Sequence, residues 1–91
     1  PPGAVTVKQG DLLTDISSEC DICVANIISD IIITYAPAFF SHVRKGGLFI
    51  CSGVVNIREN EVKEALEKAG FSIQSVEHRG EWTAFIAGRP E

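Results

Sequence analysis

The sequence predicts an α/β domain whose sheet is mostly parallel and closes on an antiparallel hairpin. Three observations carry that prediction. Residues 21–27 and 48–51 are short, nearly unbroken apolar runs of the kind that fill parallel strands. Apolar residues at three- and four-residue spacing lie between these runs and after the second. Gly80 divides the last two β-like stretches with a tight turn.

Taken in order, Val5, Thr6, Val7, Lys8 and Gln9 alternate apolar and polar side chains and then meet Gly10-Asp11, a first strand entering a turn. Residues 12–20 mix Thr, Ser and acids and are expected to be a loop. The run 21–27 is expected to be buried on both faces and to end at the polar Asn26. A helix over 29–43 follows, with Ser29 or Asp30 as its cap, Ile31, Ile32, Tyr35, Phe39 and Val43 on one side, and a kink or restart at Pro37. Gly46-Gly47 is expected to end that helix, and residues 48–51 form the next strand, finishing at Ser52-Gly53. Asn56 and Glu59 have the spacing of a capping box for a helix carrying Val62, Ala65, Leu66 and Ala69, with a Glu64–Lys68 pair on its wet side. Gly70 is its left-handed cap, and strands over 71–77 and 82–87 complete the chain.

Composition bounds the function. At 91 residues there is room for one core, and 45% hydrophobic with 22% charged residues excludes disorder of the whole chain. No apolar stretch reaches the roughly 20 residues of a spanning helix, and no signal peptide opens the chain, so no membrane partner and a cytoplasmic home are expected. A net charge of −4 disfavours a nucleic-acid backbone as partner. Three cysteines in such a chain are expected to be reduced thiols. With no Met at any position, the chain is expected to be cut from something longer.

Sites in sheets of this class lie beyond the carboxyl ends of the parallel strands, which selects Asp11, Asn26, Ser52 and Gly53, with Trp82 near the same rim. An amide at the end of an apolar strand must have its donor and acceptor satisfied, and Asn26 serves either as a cap for the next helix or as a ligand contact. Trp82 reads first as a packing residue of the hairpin and second as a substrate-side wall. No metal site is expected. Cys20 and Cys23 form a lone CxxC in which residues three apart on a strand face opposite sides, and His42 and His78 have no spaced companion ligands. Neither phosphate-cradling glycine motif occurs, and Ser52 has no identifiable His or Asp partner for nucleophilic work.

The run Asp21-Ile-Cys-Val-Ala-Asn26-Ile-Ile-Ser-Asp, then Ala36-Pro37, Lys45-Gly-Gly-Leu, Ser52-Gly53-Val and Gly80-Glu-Trp82, resembles the carboxyl-terminal part of the PrmA-type methyltransferases, which modify the eleventh protein of the large ribosomal subunit with S-adenosylmethionine. The resemblance covers nearly all of the chain. It implies a Rossmann-like methyltransferase sheet, with residues 1–91 as the carboxyl-terminal portion of one catalytic domain. It makes Asn26 the catalytic and cofactor-binding amide, Asp11 an adenine-side contact, and Ser52, Gly53 and Trp82 substrate-side candidates. The family's glycine-rich cofactor loop and its amino-terminal substrate domain have no counterpart here, so the isolated chain is expected neither to bind the cofactor appreciably nor to transfer methyl groups.

The family's strand order implies that the first strand sits three places from the second, about 14 Å at ~4.8 Å per strand. The intervening gap is expected to bare an edge that either the first strand slides across to cover or a second copy pairs with as an edge-strand dimer. A non-catalytic α/β interaction module, or a methyltransferase of the same fold with a small-molecule acceptor, are the alternatives to a ribosomal-protein methyltransferase.

Overall fold

The computed structural model of the chain describes residues 4–7 and 19–91. Its elements are β1 (Ala4–Val7), β2 (Cys20–Asn26), α1 (Ser29–His42), β3 (Val43–Val55), a single 3₁₀ turn (Asn56–Arg58), α2 (Glu59–Ala69), β4 (Ser72–Arg79) and β5 (Trp82–Gly88). The expected turn at Gly10-Asp11 and most of the loop over 12–20 fall outside the described residues.

The strands form one sheet in the order β1-β2-β3-β5-β4. β1, β2 and β3 run parallel, and β5 runs antiparallel to both β3 and β4. The mostly parallel sheet with a closing hairpin is therefore as expected. β1 lies directly against β2, with Ala4 opposite Ile22 and Val7 opposite Ala25, so the two strands are neighbours rather than three places apart. The backbone groups along β2 that the wider spacing would have left bare are paired over these four residues, which is the more stable arrangement for an apolar strand.

Both helices pack on one face of the sheet. Phe39 of α1 stacks on Phe49 of β3 at 4.6 Å, Phe49 stacks on Phe71 at 5.4 Å, and Val62 and Leu66 of α2 join the same buried cluster with Cys51 and Phe85. Aromatic pairs of this kind add about 0.5–1.5 kcal/mol each beyond the area they bury. The opposite face carries no helix among the described residues. Burial on both faces is thus not realised in β2: Cys23 and Ala25 are fully buried, while Ile22 and Val24 are 37% and 36% exposed. The apolar run meets the period-2 rule, but only one side of it has something to pack against.

Other local expectations also change. α1 starts after Ile28 with no side-chain cap and runs through Pro37, whose exposed ring faces away from the core. Gly46-Gly47 does not end α1, which stops at His42. The glycines sit inside a long β3, in a bulge where Cys20 pairs with Val43 but Ile22 pairs with Leu48. A side chain on Gly47 would come within 2.6 Å of the Asp21 carbonyl oxygen, so the close strand approach requires glycine there. Asn56 and Glu59 do not form a capping box, and no Glu64–Lys68 pair occurs among the ion pairs of the described residues. Gly70 caps α2 in the left-handed conformation as expected.

Candidate functional site at the carboxyl ends of the parallel strands

β2 ends at Asn26, which lies opposite Ser52 of β3, and the Ile27 amide donates to the Ser52 carbonyl at 3.3 Å. Alternation places Asn26 on the uncovered face with Ile22 and Val24, so its amide is exposed at the strand end. Beside it, Gly53 has φ +86, and a Cβ there would lie 2.6 Å from Asn26 Oδ1. Gly53 is therefore what lets the carboxamide oxygen settle against the β3 backbone.

The antiparallel pairing of β5 with β3 sets Trp82 opposite Val55, next to this pair. Asn26, Ser52, Gly53 and Trp82 together line an open hollow of about 330 Å³. Four of the five sequence-selected residues thus meet at one rim, and Asp11 lies outside the described residues. Trp82 is 53% exposed.

A strut that the sequence did not disclose holds the hairpin over the rim. Asn56 Nδ2 donates to the Gly80 carbonyl at 2.9 Å, and the buried Thr83 hydroxyl donates to Asn56 Oδ1 at 2.6 Å. The neighbouring Glu59 accepts from His78 Nε2 at 2.5 Å, and that hydrogen bond holds its carboxyl below the usual carboxylate range. The capping-box spacing was the one signal at Asn56 and Glu59, and it pointed to the wrong partners. Ile57 sits between them and is 88% exposed, beside Trp82 at a second hollow.

At the other end of β2 the structure overturns the expectation for the CxxC pair. The bulge between Cys20 and Ile22 turns both thiols to the covered face, where Cys20, Cys23 and His42 are all buried and their ligand atoms lie within 4.8 Å of one another. Burial pushes the Cys23 thiol up to about 12, and the Cys51 thiol likewise to about 12. These thiols are protonated at neutral pH and carry no nucleophilic role at the rim.

Chemically, the rim offers a neutral amide acceptor, a hydroxyl at Ser52 and an aromatic face at Trp82. These neutral groups can orient polar ligands, and Glu77, His78 and Arg79 line an adjoining hollow that shares Ser52, Gly53 and Trp82.

The profile of the family described as ribosomal protein L11 methyltransferase (PrmA) matches residues 3–90. A ribosomal protein L11 methyltransferase of Listeria innocua is 41% identical over 86 residues, which cover 93% of this chain and 27% of that protein. The chain therefore spans about a quarter of that relative's length. Among solved structures, a ribosomal protein L11 methylase from Lactobacillus delbrueckii subsp. bulgaricus superposes with a TM-score of 0.80 at 28% identity, covering 89% of this chain and 42% of that one. An RNA methyltransferase from Salinibacter ruber, solved in complex with S-adenosyl-L-homocysteine, shares the fold with a TM-score of 0.60 at 15% identity, covering 91% and 46%.

Proposed function

The chain belongs to the ribosomal protein L11 methyltransferase (PrmA) family, and from that premise we propose that it forms the carboxyl-terminal part of the catalytic domain of an S-adenosylmethionine-dependent protein N-methyltransferase acting in the cytoplasm on a ribosomal protein. Asn26, seated over Gly53 in an open hollow at the end of a parallel strand, is the observation that carries the reading. Ligand sites of open α/β sheets lie at such strand ends.

S-adenosylmethionine, when bound, supplies an electrophilic methyl group on a sulfonium sulfur. The residues present fit a partner of that kind: an exposed amide whose oxygen has room beside the β3 backbone only because residue 53 is glycine, with an aromatic wall in the same hollow. In this reading Asn26 Oδ1 accepts a hydrogen bond from the incoming amine and so directs the nitrogen lone pair, which lowers the barrier by orientation. The Trp82 face walls one side of the hollow, and Ser52 offers a second polar contact. Asp11 belongs to the reading as an adenine-side contact. The groups that hold the rest of the cofactor would come from outside these 91 residues, so the isolated chain is inactive.

The test is substitution in the longer protein that carries this segment. Asn26→Ala is expected to lower methyl transfer to the ribosomal protein by about 100-fold, the cost of a misoriented nucleophile, with the fold intact. Unchanged turnover and unchanged cofactor affinity would remove Asn26 from the site.

A further inference from the structure

Opposite the rim, at the amino end of β2, Cys20, Cys23 and His42 form a closed cluster that the methyl-transfer reading does not use. All three are at most 1% exposed, and one potential ligand atom from each lies within 4.8 Å of the other two. Among the described residues, neither ring nitrogen of His42 has a hydrogen-bond partner. A buried polar atom left unpaired has lost its water without a replacement partner, so an imidazole with two of them calls for an explanation.

We propose that Cys20, Cys23 and His42 bind a zinc-class divalent cation at the amino-terminal edge of the sheet. The donor set is the mixed sulfur and imidazole set that such a cation prefers, and C-x-x-C is the usual spacing of its first two ligands. Charge argues the same way. Two thiolates cancel the two positive charges and a neutral imidazole adds none, so the complex is neutral and can be buried among apolar side chains. On binding, each thiol releases one proton to solvent, two metal–sulfur bonds and one metal–nitrogen bond form, and no electron is transferred. Coordination answers one of the two unpaired nitrogens of His42, and the three side chains leave one corner of a tetrahedron to water or a further donor.

The fold assembles these ligands by two independent features. The β2–β3 bulge brings Cys20 to the same face as Cys23. The end of α1 delivers His42 just before Val43, which pairs with Cys20. Arg89 anchors that corner by donating to the Phe40 and Val43 carbonyls at 3.0 and 2.8 Å. The site is at the far end of the strand from Asn26, so its role is to fix the sheet edge and not to take part in transfer.

The experiment is a titration of the reduced, metal-free chain with Co²⁺ and then with Zn²⁺. Thiolate-to-cobalt charge transfer with the visible bands of a tetrahedral site is expected at one ion per chain, bleached when zinc displaces cobalt. Zinc is also expected to raise the melting temperature. Cys20→Ser and His42→Gln should each lose the tetrahedral bands and the zinc-dependent rise, whereas Cys51→Ser should keep both. Absence of charge transfer in the folded wild-type chain overturns the proposal, and this outcome needs no variant to fold. Retention of the full spectrum by Cys20→Ser or His42→Gln overturns it as well.

Discussion

The two faces of the sheet are built from the same alternating strands but have opposite consequences. On the covered face Cys23, Ala25, Phe49, Cys51 and Phe85 are wholly buried under α1 and α2. On the other, Ile22 and Val24 are more than a third exposed, and the row they begin ends at Asn26 in the open hollow. Stability is concentrated on the first face and the candidate chemistry on the second. The difference teaches that an apolar strand is not committed to one role: what stands opposite each side chain decides whether it is core or rim.

The largest contrast should come from matched truncations across the sheet. Phe49→Ala removes the ring stacked between Phe39 and Phe71 and is expected to cost about 3–5 kcal/mol in urea or thermal unfolding. Ile22→Ala on the bare face should cost about 1 kcal/mol or less, because little of its surface is transferred from water. Equal losses would erase the distinction between the faces. Gly53→Ala sharpens it at the rim: the φ of +86 and the contact with Asn26 Oδ1 predict a loss of about 1–3 kcal/mol, together with a fall in methyl transfer by the longer protein.

Titration separates the faces more finely. Cys23 and Cys51 have folded values near 12, above their ordinary 9.0. A raised value means that the folded state holds the proton more tightly, so this stabilisation is complete below about pH 9 and is lost as pH rises from 9 towards 12. Denaturation curves across that range should show falling stability, and alkylation of these thiols in the folded metal-free chain at neutral pH should be slow. The smallest effect belongs to Glu59, whose value is lowered from 4.5 chiefly by the His78 hydrogen bond. Its contribution is present above pH 4.5 and fades as pH falls through the lowered value, and Glu59→Gln should flatten that acid-side loss.

Much of this architecture was legible in the sequence because period and punctuation agree. The spacing of Val62, Leu66 and Gly70 gave α2 and its cap, Gly80 gave the hairpin, and the polar end of an apolar run singled out Asn26. What was not legible depends on partners distant in the chain. Asn56 looked like a local cap because Glu59 stands three residues on, yet its side chain reaches Gly80 and Thr83, 24 and 27 residues away. Cys20 and Cys23 looked divergent because strand alternation assumes a regular ladder, and the bulge that realigns them depends on Gly46 and Gly47, more than twenty residues downstream. The bare face of β2 was hidden for the same reason, since apolar residues read alike whether or not a helix covers them.

The central claim, that the Asn26 carboxamide faces a methyl-donor hollow, is tested most directly by NMR of the longer protein with the Asn26 side-chain amide signal assigned. Adding S-adenosyl-L-homocysteine is predicted to shift that signal and the Trp82 indole N–H while leaving the His42 ring signals unmoved. An Asn26 signal that stays in place while the cofactor product binds would contradict the account.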